Sequence, residues 1–174
     1  MGRCVSALKR WTGKASATII FDSTVDEFTA DGLFNKVRGK KNIAIVATTT
    51  DGDVFGGFYS VAVTEQDRLF DDPNMFVFSF ESRGRCMTPQ RFVVKVDRKK
   101  EACLEFFKND IYGFVEFKVV CGGHFWLGDE RSHSFCWDMC DACEELQNKT
   151  LSGKSGIRDE DEHHCARLVA VRLF

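Results

Sequence analysis

The sequence predicts a mainly β domain of the α+β kind: a two-sheet antiparallel β-sandwich with a few short helices at the periphery. Three observations carry that prediction. The apolar residues lean toward sheet, with 17 Phe, more Val than Leu and only 2 Pro; aromatic and β-branched side chains suit a pleated, half-buried surface. Short strand-like runs follow one another with turn residues between them, while helical spacing is confined to one stretch. Finally, 174 residues that are 44% apolar and 29% charged suit a single globular domain, which hides roughly 70% of its unfolded surface without staples.

Residues 1–16 are basic (Arg3, Lys9, Arg10, Lys14), show no periodicity and read as a tail, which leaves 17–174 as the domain. "ATIIF" from Ala17 is the first strand. In "DSTVDEF", Thr24 and Glu27 stand at capping-box spacing for a helix start. "DGLFNKVRG" then carries Leu33, Phe34 and Val37 at helical spacing, with Gly39 placed to end the turn. The strands "NIAIVATT", "VFGGFYSVAV", "MFVFSF", "RFVVKV", "ACLEFF", "GFVEFKVV", "HFWL" and "ARLVAVRLF" follow. "TDGD" between the first two predicts a hairpin with a type I′ turn, because Asp-Gly supplies its positive φ angles. Residues 138–165 are polar and poor in strand formers, so they read as a long surface excursion before the last strand.

Gly56 and Gly57 interrupt a run of strand formers, where glycine weakens a strand. A phosphate cradle needs glycines at fixed spacing ahead of a helix N-terminus; here the pair lies mid-strand with no helix after it. The residues predict instead a bulge or a close backbone approach inside a twisted sheet.

"FDSTVDEFTADGLFNKVRGKKNIAIVATTTDGDVFGGFYS", then "DDPNMFVFSF", then "CGGHFWLGDERSHS", then the terminal "ARLVAVRLF" occur in the order and spacing of a TLDc domain. The chain from about residue 17 to 174 resembles that family, the domain of the oxidation-resistance proteins. The glycine-rich run is reduced here to "CGG", and 130–165 is richer in Cys and His than the family pattern. The resemblance implies a two-sheet sandwich flanked by helices and a part in protection against oxidative stress. In several eukaryotic members it also implies binding to the vacuolar-type proton pump on cytosol-facing membranes. The family has no settled catalytic residues, so the resemblance carries none over.

The N-terminus holds a second signal. "MGRCVS" fits the N-myristoylation pattern, with Gly2 as acceptor and Ser6 in its required place. One myristoyl chain binds membrane with an association constant of only about 10⁴ per molar, so stable anchoring takes a second signal. Cys4, as a palmitoylation candidate, and the basic cluster at Arg3, Lys9, Arg10 and Lys14 both offer one; each cation adds about 1 kcal/mol near an anionic leaflet. No apolar run approaches the ~20 residues of a membrane span, and "SALKRWTGK" breaks up any secretory signal. The expected location is therefore cytoplasmic, on the cytosolic face of a membrane, with the 8 Cys reduced.

Cys136, Cys140 and Cys143, with His133 and the distant His163, His164 and Cys165, have ligand types that suit zinc, and Cys140-x-x-Cys143 has the spacing of half a site. The spacing of the remainder is irregular, so no metal and no cofactor are expected. No thiol stands beside a fixed cation that would lower its pKa. His124, beside Phe125 and Trp126, reads as a packed strand residue, and the acids at 159–162 read as a solvated loop. "KVRGKK" and "KVDRKK" lack interleaved aromatics, and a net charge of -2 gives nucleic acid no hold. The expectation is a non-catalytic interaction module that binds a membrane protein complex such as the vacuolar-type proton pump. The alternative is a thiol-based, peroxide-consuming redox protein or enzyme.

Overall fold

A computed structural model describes residues 2–82, 88–108, 113–120, 123–128, 132–133, 143–144, 151 and 162–174. The described elements run α1 (Gly2–Thr12), β1 (Ala17–Asp22), α2 (Ala30–Val37), β2 (Ile43–Thr49), β3 (Val54–Tyr59), β4 (Leu69–Asp71) and β5 (Phe76–Glu81). They continue with β6 (Gln90–Val93), β7 (Cys103–Phe106), β8 (Val115–Val120), β9 (Gly123–Leu127), β10 (Ser132–His133), β11 (Glu162–His163) and β12 (Cys165–Leu173). A six-stranded sheet has the order β1-β12-β2-β3-β5-β6 and a four-stranded sheet the order β4-β7-β8-β9, while β10 and β11 form a separate ribbon. Every ladder is antiparallel. The expected two-sheet sandwich is what the chain forms.

Alternation along the strands builds the interior, because successive side chains point to opposite faces. Ile43, Ile45, Phe55, Tyr59 and Val77 of the large sheet share one core with Leu104, Phe106, Val115 and Phe117 of the small one, and Leu33, Phe34 and Val37 of α2 complete it. The intervening residues of the large sheet, among them Val46, Phe58, Phe76, Phe78, Phe80, Val169 and Val171, form a second buried cluster on its outer face.

The glycine pair follows from this packing. A Cβ on Gly57 would lie 2.5 Å from two carbons of the Phe117 ring, so the opposing sheet rests directly on the strand backbone there. A Cβ on Gly56 would lie 1.9 Å from the Ile45 carbonyl oxygen of the neighbouring strand. Close approach, the expectation, is the reason for both. The register of β3 on β5 also shifts between Val54 and Phe55, next to the pair.

Asp22 ties the first strand to the last. Its carboxylate accepts hydrogen bonds from the Arg167 guanidinium of β12 and from the Thr24 N–H and hydroxyl. Those bonds, that to Arg167 foremost, hold the Asp22 carboxyl well below the usual carboxylate range. The Ser23 hydroxyl accepts from the Leu168 N–H, so the Asp-Ser pair serves as a latch between the first strand and the last.

Several local expectations are corrected. Residues 2–12 are an α-helix with Ala7 and Leu8 buried, where no regular structure was expected. The N-cap of α2 is Thr29, whose side chain accepts from the Gly32 N–H; residues 23–25 form a turn, so the Thr24–Glu27 spacing starts no helix. In the β2–β3 hairpin only Gly52 has positive φ, at 88°. The Thr49 N–H donates to the Asp53 carbonyl and the Gly52 N–H to the Thr49 carbonyl, so the connection is a three-residue loop with glycine in the left-handed position, not a type I′ turn. β3 stops at Tyr59, and β4, β10 and β11 are strands that sequence pattern does not reveal.

Candidate functional site

α1 and the sheet face beneath it bring the chemistry-bearing residues of the N-terminus into the fold. Cys4, Ala7, Leu8 and Trp11 recur at helical spacing, and all four pack on the outer-face cluster. Leu8 is fully buried. The Trp11 ring stacks on Phe80 at 5.6 Å between centroids, with an interplanar angle of 3°, and lies within about 6 Å of Phe76 and Phe78 as well. The helix ends on Gly13, with φ at 68°, and the Lys14 N–H reaches back to the Lys9 carbonyl. That is the Schellman closure, which needs glycine in the left-handed region.

The two lipidation candidates end up in different surroundings. Positions two apart in sequence, as Gly2 and Cys4 are, lie ~200° apart around a 3.6-residue helix. Gly2 is exposed and has open space around its Cα, and Arg3 and Arg10 are exposed on the same helix. Cys4 faces the sheet, and burial is the main reason its thiol pKa is raised. Among the described residues no helix is long and apolar enough to cross a membrane.

The described cysteines Cys4, Cys103, Cys143 and Cys165 are free thiols, and the last three are buried. Burial also pushes the Cys103 thiol pKa up, with Asp71, Glu116 and Glu105 adding to the rise against Lys118. Backbone pairing sets Ser132 opposite His163 and His133 opposite Glu162, so the two ends of the Cys- and His-rich stretch do meet. Cys143 bridges to Val94 and, like Cys165, joins the inter-sheet core. Cys136 and Cys140 lie outside the described residues, as do the acids at 159–161. Among the described residues no group of three or more His, Cys, Asp or Glu could hold a metal ion. His124 sits on β9 opposite Lys118.

The two basic runs are used differently. In "KVRGKK", Lys36 pairs with Asp26 at 2.7 Å, and Arg38 lies over the Phe34 ring while donating to the Thr64 carbonyl. In "KVDRKK", Arg98 pairs with Glu101 at 3.0 Å, whereas Lys99 lines a cleft of about 300 Å³ beside the C-terminal end of α1. Trp11, Phe58, Phe76, Met75 and Val93 give this cleft its apolar lining. Sequence reading missed it because its residues come from six separate stretches of the chain.

A family model of the TLDc domain matches residues 5–158, and so reaches back into α1. No curated protein matches the chain.

Proposed function

This chain belongs to the TLDc domain family, and we propose that it acts as a non-catalytic interaction module of the oxidation-resistance type, held on the cytosolic face of a membrane by acylation at Gly2 and recognising a protein complex there. One observation carries the tether. An exposed Gly2 begins a helix whose free surface shows Arg3 and Arg10 and whose other face is occupied by the sheet. A myristoyl group there extends into solvent without disturbing the fold, and the cations beside it favour an anionic leaflet. Cys4 is the second acyl acceptor, reached when α1 leaves the sheet. Family resemblance names the vacuolar-type proton pump as the partner to seek first.

A non-catalytic role suits the cysteines that are described. The thiolate is the nucleophile in peroxide chemistry, and the raised pKa values of Cys4 and Cys103 keep those thiols protonated. The test uses the full chain made in a eukaryotic cell. Intact mass should show one myristoyl group, Gly2→Ala should move the protein off floated membranes, and affinity capture of the wild type should recover subunits of a membrane complex. Unchanged flotation of Gly2→Ala overturns the tether, and capture of no membrane protein overturns the partner. Peroxide turnover that one Cys→Ser change abolishes would establish an enzyme instead.

A further inference from the structure

The cleft beside α1 has a charge that the whole chain does not. Lys14, Arg91 and Lys99 line it, and none of its lining residues is acidic, although the chain carries a net charge of -2. Neither Lys14 nor Lys99 has an acidic partner among the described residues. Arg91 is held in place: its guanidinium donates to the Trp11 carbonyl at 2.9 Å and sits 5.5 Å from the centre of the Phe76 ring. The floor is aromatic, with Phe58 and Phe76 stacked 4.8 Å apart and the edge of Trp11 against Phe76.

The walls are equally well fixed. Asp72, fully buried, accepts from the Ser60 N–H and hydroxyl and from the Asn74 N–H, which pins the 73–75 turn against the end of β3. The Gly13 closure of α1 carries Lys14 to the mouth. The lining is half apolar and half polar, and about 300 Å³ is the small end of the usual size of a small-molecule site.

The geometry points to a binding site for a small organic anion with a flat apolar body, such as an aromatic carboxylate or an aryl phosphate. The body rests against the apolar side chains of the lining and the anionic group turns to Lys14 and Lys99, with Arg91 able to offer its remaining N–H donors. Acylation at Gly2 leaves the site intact, whereas acylation at Cys4, which draws α1 off the sheet, removes Trp11 from its lining.

The probe is naphthoate, titrated into the full chain while backbone amide shifts are followed by NMR. Saturable shifts centred on Trp11, Phe76, Arg91 and Lys99 are expected, with a Kd of about 1 mM, the range open to a fragment of this size. A partly exposed charge contact is worth a factor of roughly 2–5. Lys14→Gln and Lys99→Gln should therefore each weaken binding by about that factor, and the double variant by about tenfold, with thermal stability unchanged. Naphthylmethanol, the neutral counterpart, should bind at least about tenfold more weakly. Three results would each overturn the site: shifts that scatter or do not saturate, a double variant that binds naphthoate as the wild type does, or a neutral counterpart that binds equally well.

Discussion

Replacing Gly57 by alanine tests the inter-sheet packing at one atom. The backbone accepts the change, because Gly57 is not among the residues with positive φ. Only space opposes it. The new methyl would sit 2.5 Å from Cδ1 and Cε1 of Phe117 and 2.8 Å from its Cγ, about 1 Å inside ordinary carbon contact. Phe117 is fully buried in the shared core, so its ring cannot swing into solvent, and either the ring or the sheet must yield. Overpacking of this kind costs about 1–3 kcal/mol. Removing a strand glycine returns about 0.5–1 kcal/mol. The net loss is therefore about 0–2.5 kcal/mol, or a fall in Tm of up to roughly 10 °C for a domain of this length. Urea denaturation should show a lower midpoint at unchanged slope. In a Phe117→Ala background the same methyl has room, so Gly57→Ala should there be neutral or stabilising, a coupling of about 1–3 kcal/mol. Gly56→Ala meets the Ile45 backbone carbonyl at 1.9 Å instead, and no side-chain change should rescue it. Equal penalties for Gly57→Ala in both backgrounds, or none in either, would refute the account of the glycine pair.

Other substitutions probe the remaining contacts. The Tyr59 hydroxyl is buried with no hydrogen-bond partner among the described residues; Tyr59→Phe removes an unpaired polar group and should gain about 1–2 kcal/mol in urea denaturation, and a loss would mean the hydroxyl is satisfied. Asp22→Ala cuts the latch to Arg167 and should cost about 1–2 kcal/mol at neutral pH. Because the folded Asp22 pKa is depressed, its contribution is present above the unfolded value of ~3.9 and fades as pH falls below it. The gap between wild type and variant should accordingly narrow steadily as pH falls below about 4, and a constant gap would contradict the ion pair. Alkylation of Cys4, followed by peptide mass, should be slow in the folded wild type and at least about tenfold faster in Trp11→Ala, which removes the stack on Phe80; equal rates would show that α1 is not docked as described.

The inner half of the fold was legible because it is written in local pattern. Leu33, Phe34 and Val37 at helical spacing, the Asp-Gly turn and the alternating strands each announce themselves within a few residues. The outer half was legible only in principle. In "MFVFSF" and "ARLVAVRLF" most positions are apolar, whereas a sandwich strand with one wet face should alternate; that excess was the sign of a cover over the large sheet. The cover itself, Cys4, Ala7, Leu8 and Trp11 at helical spacing, was obscured by the cations at Arg3, Lys9 and Arg10, which occupy the positions between. Other features need tertiary knowledge. The fit of Phe117 onto Gly57 joins distant strands, the three-cation cleft gathers residues from six segments, and β4, β10 and β11 are defined by partners and not by composition.

Docking of α1 changes what two candidate acyl acceptors on one helix can mean. Had residues 1–16 been a loose tail, Gly2 and Cys4 would be equivalent, each free to carry a chain to the membrane. On the folded helix they are not, since Gly2 faces solvent and Cys4 faces the aromatic sheet. A chain on Gly2 leaves the packing of Leu8 and Trp11 intact. A chain on Cys4 requires α1 to leave the sheet, which exposes Phe76, Phe78 and Phe80 and frees a helix with Leu8 and Trp11 on one face and Arg3 and Arg10 on the other. Such a helix has the composition of an interfacial membrane segment. Under the proposed acylation, membrane and sheet would compete for Cys4, Ala7, Leu8 and Trp11, and a second anchor would be gained only at the expense of a fold contact.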